Sequence, residues 1–527
     1  MFTRFLTSVA ALALGTGMAA AEYKLTILHT NDIHSRIESI NKYDSTCDAE
    51  DEAEGKCFGG VARLKTMVDA KRGELADGNV LVLDAGDPFQ GSLFYTTYKG
   101  AAEAEFMEAI GYDVMAVGNH EFDDGPEGLA AFIDVVSFPV ISGNLDLSTS
   151  AELKDRVQNH VVLEMGGQKI GIISALATDT VDTSSPGKDV VFQDEIESLK
   201  ADVAALQEEG VDIIIALNHV GLAKDLEIAE QVPGLDLVIG GHSHTLLSNT
   251  DEDATGSYPT MVGDVPVVQA YAYSKYLGEI TLTFDDDGNL ISAEGEPILL
   301  DASVTPDADI AARVAEMGAP IEEMKQRVVA NSAAAIEGNR DVCRVQECEM
   351  GNLVADAMLA RVADQGAQIA IANSGGLRAS IDSGEVTMGE VLTVLPFQNT
   401  LSTFEISGQG VIDALENGVS QVEEVKGRFP QVAGLTFTWD PTVAPNEGRI
   451  TEVMVVEGDG FVPIDPAATY LVVTNNYVRN GGDGYNMFEG DDKNAYDYGP
   501  DLADVTAEYL AENAPYQPYL DGRIKQK

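Results

Sequence analysis

Seven histidines occur in this 527-residue chain, and five of them fall in short polar clusters. The clusters are Asp32-Ile-His34, Asp84-Ala-Gly-Asp87, Gly118-Asn-His-Glu121, Asn218-His219 and Gly241-His-Ser-His244. Imidazole, carboxylate and amide oxygens without thiolate suit Zn, Mn, Fe, Co or a similar divalent ion. One Asp-x-His or one Gly-Asn-His-Glu says little. Five clusters in order, each following an apolar run, make a set that can serve two metals. Two ions about 3.5–4 Å apart can clamp a phosphate and activate water between them. Asp87 fits the bridging carboxylate, because it lies past its apolar run and Gly86 gives the backbone freedom to aim it. Asp84, at the end of the run, is the alternative bridge or a residue that only holds the turn.

The runs ahead of these clusters read as buried strands: Lys24–Leu28, Val80–Leu83, Val114–Val117, Ile213–Leu217 and Leu235–Ile239, with a further run at Ile170–Ile173. Strands alternating with helix-like stretches predict an α/β domain from about Tyr23 to Leu300. In open α/β sheets, sites form at the carboxyl ends of strands, so five tips can meet in one crevice. Ile280–Phe284 followed by Asp285-Asp-Asp-Gly288 predicts a strand and a hairpin turn. From Thr305 to Val329, apolar residues recur at helical spacing, and Pro320 is expected to kink or divide that helix. Beyond Ala335 glycine punctuation thickens and strand candidates such as Leu471–Val473 follow in mixed order, which predicts a second α/β domain.

Composition sets limits. Apolar content of 45% and charged content of 23% describe a globular chain, too long for one core. The 87 acidic and 32 basic side chains leave a formal net charge of −55, which disfavours binding to a nucleic-acid duplex. An anionic substrate would need local positive charge from metals and a few arginines. Arg4, the apolar stretch Phe5–Gly17 and Ala19-Ala-Ala21 predict an export leader at 1–21, cut before Glu22. No later stretch reaches membrane-spanning length and no lipid-anchor signal is present, so a soluble periplasmic or secreted protein is expected. Cys47, Cys57, Cys343 and Cys348 permit three pairings; the local ones, Cys47–Cys57 and Cys343–Cys348, close short loops. A four-thiolate zinc site is the rival, without its usual knuckle spacing.

The five clusters resemble those of calcineurin-type metallophosphoesterases. Cys343-Arg-Val-Gln-Glu-Cys-Glu-Met-Gly-Asn352, Asn373-Ser-Gly-Gly-Leu-Arg378, Leu395-Pro-Phe-Gln398 and Asn480-Gly-Gly-Asp-Gly484 resemble the C-terminal domain of 5'-nucleotidases, close to the ecto-5'-nucleotidase branch. The resemblance implies an α/β fold (α+β overall). It comprises a four-layer metallophosphoesterase β-sandwich flanked by helices at 22–304, a helical connector at 305–334, and a mixed α/β substrate domain at 335–527. It also implies the site. Asp32, His34 and His244 hold one metal, Asp87 bridges, and Asn119, His219 and His242 hold the other. Relatives often carry Gln or Asn where this chain has His244. His120, oriented by Asp123, stabilises transition-state charge while metal-bound hydroxide attacks phosphorus in line. Phe397 and Tyr477 match a pair that sandwiches the base, with Tyr where close relatives often have Phe. Arg344 and Arg378 match residues that grip anionic or ribose oxygens, Asn373 the base and Asp483 the ribose. The implied activity is hydrolysis of nucleoside 5'-monophosphates, with di- and triphosphates as further substrates and zinc ahead of Mn, Co, Fe or Mg. A monomer or homodimer fits. UDP-sugar hydrolysis, 2',3'-cyclic-nucleotide hydrolysis and, against the second-half motifs, thiosulfate ester hydrolysis are alternatives within the scaffold. A non-catalytic exported nucleotide-binding protein is the alternative of another class.

Overall fold

Continuous apolar runs become parallel strands covered on both faces. The computed structural model describes residues 22–527 apart from residues 43, 45, 77, 286, 287, 459, 491, 492 and 498. The expected leader at 1–21 lies outside the described residues, as do the two middle aspartates of the expected hairpin turn. In the first half, strands β1 (Tyr23–Thr30), β2 (Asn79–Asp84), β3 (Val114–Ala116) and β4 (Val140–Ile141) run parallel. A second sheet contains β5 (His160–Met165), β6 (Gln168–Ile173), β7 (Ile213–Leu217), β8 (Leu237–Ile239), β9 (Thr260–Val262) and β10 (Val265–Val268). The chain then returns to the first sheet with β11 (Tyr276–Phe284) and β12 (Leu290–Gly295). The orders are β12-β11-β1-β2-β3-β4 and β9-β10-β8-β7-β6-β5. β1 is therefore central, parallel to β2 and antiparallel to β11.

The two sheets pack face to face. Leu25, Ile27, Leu81 and Leu83 of the first meet Ile170, Ile172, Ile213 and Ile215 of the second in one buried cluster. Each such side chain contributes roughly 1.5–3 kcal/mol by leaving water. On the outer faces, Leu28 and Val82 pack with helix α1 (Val61–Glu74), while Ile173 and Ile214 pack with α2 (Glu195–Glu208) and α3 (Leu222–Gln231). The result is the four-layer sandwich expected from the sequence.

Helix α4 (Ala308–Lys325) is capped by Asp307, whose side chain accepts from the amides of Asp309 and Ile310. Pro320 lies inside this helix and does not divide it. Pro320 is exposed, while Met317 and Ile321 are buried, and Tyr98 Oη donates to Met317 O at 2.7 Å. The helix also ends earlier than its sequence pattern suggests. Val328 and Val329 belong to strand β13 (Val328–Ser332), where β-branched residues fit the pleat against β15 (Gly384–Thr387).

In the second half, β14 (Ile369–Asn373) lies between β17 (Pro430–Ala433) and β21 (Thr469–Asn475), with β16 (Leu401–Ser407) at the edge. Another sheet joins β18 (Leu435–Trp439), β19 (Ile450–Glu457), β20 (Gly460–Pro463) and β22 (Ile524–Gln526). Alternate residues of β14 face different cores: Ala370 and Ala372 one, Ile369 and Ile371 the other. Both local disulfides are formed, Cys47–Cys57 and Cys343–Cys348.

Candidate active site

Five strand tips converge at the carboxyl edge of the sandwich. The first two are joined through backbone: the amides of Asp32 and His34 donate to the carbonyls of Gly86 and Asp87, both at 2.9 Å. Asp32, His34, Asp87, His242 and His244 all have φ between 49° and 74°. Asp and His are among the non-glycine residues that tolerate this left-handed region. Gly118 is required by close approach, since a Cβ there would lie 2.2 Å from Asp87 Oδ1.

Asp84 and Asp87 differ in their partners. Asp84 accepts from Thr30 Oγ1 at 2.6 Å and from the Gly86 amide at 3.0 Å, so it holds the turn. Asp87 Oδ1 accepts from the His120 amide at 2.9 Å. Its Oδ2 is sealed from solvent and accepts no hydrogen bond, although His219 Nε2 is 3.1 Å away and His34 Nε2 3.9 Å. Ligand atoms facing one another without a hydrogen bond suit a shared cation. His34 Nε2 and His244 Nε2 meet at hydrogen-bond distance, 2.9 Å, with His244 Nε2 3.3 Å from Asp32 Oδ1. Asn119 Oδ1 lies 3.2 Å from His219 Nε2 and 2.8 Å from His242 Nδ1.

Two groups with metal-ligand proximity result, Asp32-His34-His244 and Asp87-His219-His242, and a third, His34-Asp87-His120, overlaps both. The donor set contains no thiolate, and its oxygen and imidazole chemistry fits two divalent ions. Outer contacts orient the rings. His219 Nδ1 donates to Ala85 O at 2.7 Å and His34 Nδ1 to Phe89 O at 3.2 Å, which turns each Nε2 toward the site. The His242 amide donates to both Asp32 oxygens at 3.0 Å.

Electrostatics agree with this arrangement. Burial would raise the Asp87 carboxyl, but His219 and His120 hold it well below the usual range. Burial lowers His242 to about 3 and holds His34 well below its usual value. Burial also opposes the charge on His219, yet Asp87 raises it to about 10, so a cation bound here displaces that proton. His120 Nδ1 is 2.6 Å from Asp123 Oδ2. Against the effect of burial, Asp123 and Asp87 raise His120 to about 9.

The six substrate-binding residues expected in the second half form a separate cluster. Asn373 Nδ2 donates to Asp483 Oδ2 at 2.7 Å, and Tyr477 Oη lies 3.3 Å from Asp483 Oδ1. The Arg378 guanidinium stands 5.4 Å from the centre of the Phe397 ring. Arg344, on the Cys343–Cys348 loop, donates to Val425 O at 3.3 Å; burial and the nearby charges of Arg340 and Arg378 lower its pKa. Tyr477 is 48% exposed. A cavity of about 420 Å³ covers the metal-ligand cluster, lined by His34, Arg36, His120, His242, His244 and Tyr273 from the first half. The second half contributes Gln398, Thr400, Asn476 and Asn480. These are chain neighbours of Phe397 and Tyr477, but none of the six expected contacts is among the described lining residues. The structure thus holds the candidate metal ligands and the expected substrate contacts in two separate clusters.

Two residues near the reacting groups escaped the sequence reading. Glu121 accepts from the amides of Gly118 at 2.7 Å, Asp87 at 3.1 Å and Phe89 at 3.3 Å, and so clamps the loop that carries Asp87. Its place in Gly-Asn-His-Glu was the available signal. Tyr273 packs edge-on against His244, ring centres 5.3 Å apart, and no spacing in the sequence announced it.

Two family models match the chain: calcineurin-like phosphoesterase over residues 25–246, and 5'-nucleotidase, C-terminal domain, over residues 328–490. A 5'-nucleotidase of Diplobatis ommata is 37% identical over 98% of this chain and 92% of its own length. A snake venom 5'-nucleotidase of Gloydius brevicauda is 34% identical over 96% and 89%. Among solved structures, a 5'-nucleotidase precursor from Thermus thermophilus is 38% identical, covers 96% of this chain and 99% of its own, and superposes with a TM-score of 0.62. Sandwich, converging tips and second-half motifs agree with these likenesses along the whole described chain, which belongs to the 5'-nucleotidase family.

Proposed function

We propose that this protein hydrolyses nucleoside 5'-monophosphates to nucleoside and phosphate, using two divalent metal ions. The observation that carries the reading is Asp87, whose buried, unsatisfied Oδ2 faces imidazoles of both ligand groups. Asp32, His34, His244 and Asp87 would hold one ion; Asp87, Asn119, His219 and His242 would hold the other, and zinc suits both. When bound, the ions supply Lewis acidity to the phosphate and acidify water for attack on phosphorus. Asp123 fixes His120 through Nδ1 and favours its charged form, so His120 can donate to a phosphate oxygen as negative charge develops. Phe397 and Tyr477 stack the base, Asn373 and Asp483 hold base and ribose, and Arg344 and Arg378 hold oxygens. A turn of the second half about the connector would bring a nucleotide gripped there to the metals, since its six contacts are not among the residues that line the metal cavity. The boundaries 22–304, 305–334 and 335–527 describe those moving parts.

Export is part of the proposal. It is supported by the leader-like sequence at 1–21, by two disulfides, and by the venom relative. No helix among the described residues is long and apolar enough to cross a membrane.

The test is phosphate release from AMP, ADP, ATP, UDP-glucose and 2',3'-cyclic AMP by the metal-loaded protein. An Asp87→Ala/His219→Ala variant and a chelator serve as controls. Fast release from AMP, lost in both controls, is expected. A folded, metallated protein that leaves AMP intact would refute the reading.

A further inference from the structure

The His120–Asp123 pair has a third member. Asp123 uses Oδ2 for His120, and its other oxygen, Oδ1, accepts from Ser184 Oγ at 2.8 Å across 61 positions of chain. Ser184 comes from the segment after β6. That segment is pinned to the fourth strand tip, where the Ala177 amide donates to His219 O at 2.9 Å. Thr180 then turns it, through Oγ1 to Ala177 O at 2.7 Å, and the Ser184 amide closes the turn on Thr180 O at 3.0 Å. A continuous path of short contacts therefore runs from the backbone of His219, through Ser184, to the carboxylate that orients His120.

The surroundings say why a hydroxyl is needed. Asp123 and Ser184 both line a cavity of about 810 Å³ between the two halves, which also meets Tyr95, Asp124 and Tyr496. Solvent in that cavity can reach the outer face of Asp123. A carboxylate held on one oxygen alone can swing and exchange partners with water; a fixed donor on the second oxygen fixes the plane of the group. The imidazole bound to it is then fixed as well.

We infer that Ser184 is a positioning residue for phosphate-ester hydrolysis, acting through Asp123 on His120 and touching neither metal nor substrate. The inference rests on the nucleotidase reading above. It goes beyond that reading because it assigns a role to a residue outside the five strand-tip clusters and the four second-half motifs.

The experiment is steady-state kinetics on AMP with metal-loaded wild type, Ser184→Ala, Ser184→Thr, Asp123→Asn and Asp123→Asn/Ser184→Ala, with metal content measured on each. Ser184→Ala should lower kcat about 10-fold or more, the scale of orienting contacts. KM should stay within about 2-fold, since ground-state binding is untouched. Ser184→Ala should retain both metals. Ser184→Thr keeps the hydroxyl and should recover most of the rate. In the Asp123→Asn background, Ser184→Ala should add no further loss, because both changes break one chain of contacts. Several outcomes overturn the assignment alone while wild type is active. They are an unchanged kcat in Ser184→Ala, equal losses in the Ala and Thr variants, a multiplied loss in the double variant, or loss of metal. A wild type that releases no phosphate overturns the nucleotidase reading and this one together.

Discussion

An aspartate with left-handed backbone and a buried, unmatched oxygen is costly to keep, and Asp87 has both properties. Four further candidate ligands share the backbone feature, at a cost on the order of 1 kcal/mol each. This preorganisation aims side chains before any ion arrives. The residues proposed to bind the base face a different test. Phe397→Ala should raise KM for AMP roughly 5- to 100-fold, the range of base–aromatic stacking. It should leave kinetics on a small aryl phosphate unchanged, and equal losses on both substrates would remove the stacking role. The convergence of the candidate metal ligands was legible in the sequence because histidine is scarce here and each cluster follows an apolar run. Ser184 and Tyr273 were not, because their relevance arises only when segments distant in the chain come together: Ser184 meets Asp123, and Tyr273 meets His244.

At the scale of elements, buried strands were the readable part. Ile213–Leu217 is a strand with the bounds its apolar run suggests, and all five residues are buried. The two-residue strand β4 left no comparable pattern, since it forms by pairing with β3. Helix α4 shows where a local rule yields to packing. Pro320 lacks the N–H that would reach back one turn, yet Met317 and Ile321 remain buried and the helix stays whole. Its cost is still present in the folded state. Pro320→Ala should therefore stabilise the protein by about 2 kcal/mol or more, the interior-proline penalty less the entropy that proline removes from the unfolded chain. Thermal unfolding would register this as a higher midpoint. A lower midpoint would show that Pro320 favours the folded form of α4.

At the scale of the molecule, a formal charge of −55 opposes the approach of an anionic nucleotide. Screening should relieve it: the Debye length falls from about 30 Å at 0.01 M salt to about 8 Å at 0.15 M. kcat/KM for AMP is expected to rise by roughly 2-fold or more across that range, provided binding steps limit it. A fall would show that the local field of metals and arginines already governs capture. The topology has a consequence in time. The hydroxyls of Thr26 in β1 and Thr281 in β11 meet at 2.9 Å, although 255 positions separate them. His34 and His244, of the same ligand group, are 210 positions apart. At about 5–20 residues per second, roughly 10–40 s of synthesis lie between the two histidines. No nascent fragment that stops short of His244 holds the first pocket. A chain that crosses a membrane before folding therefore loads its ions on the far side, and the metal it carries reflects the supply there.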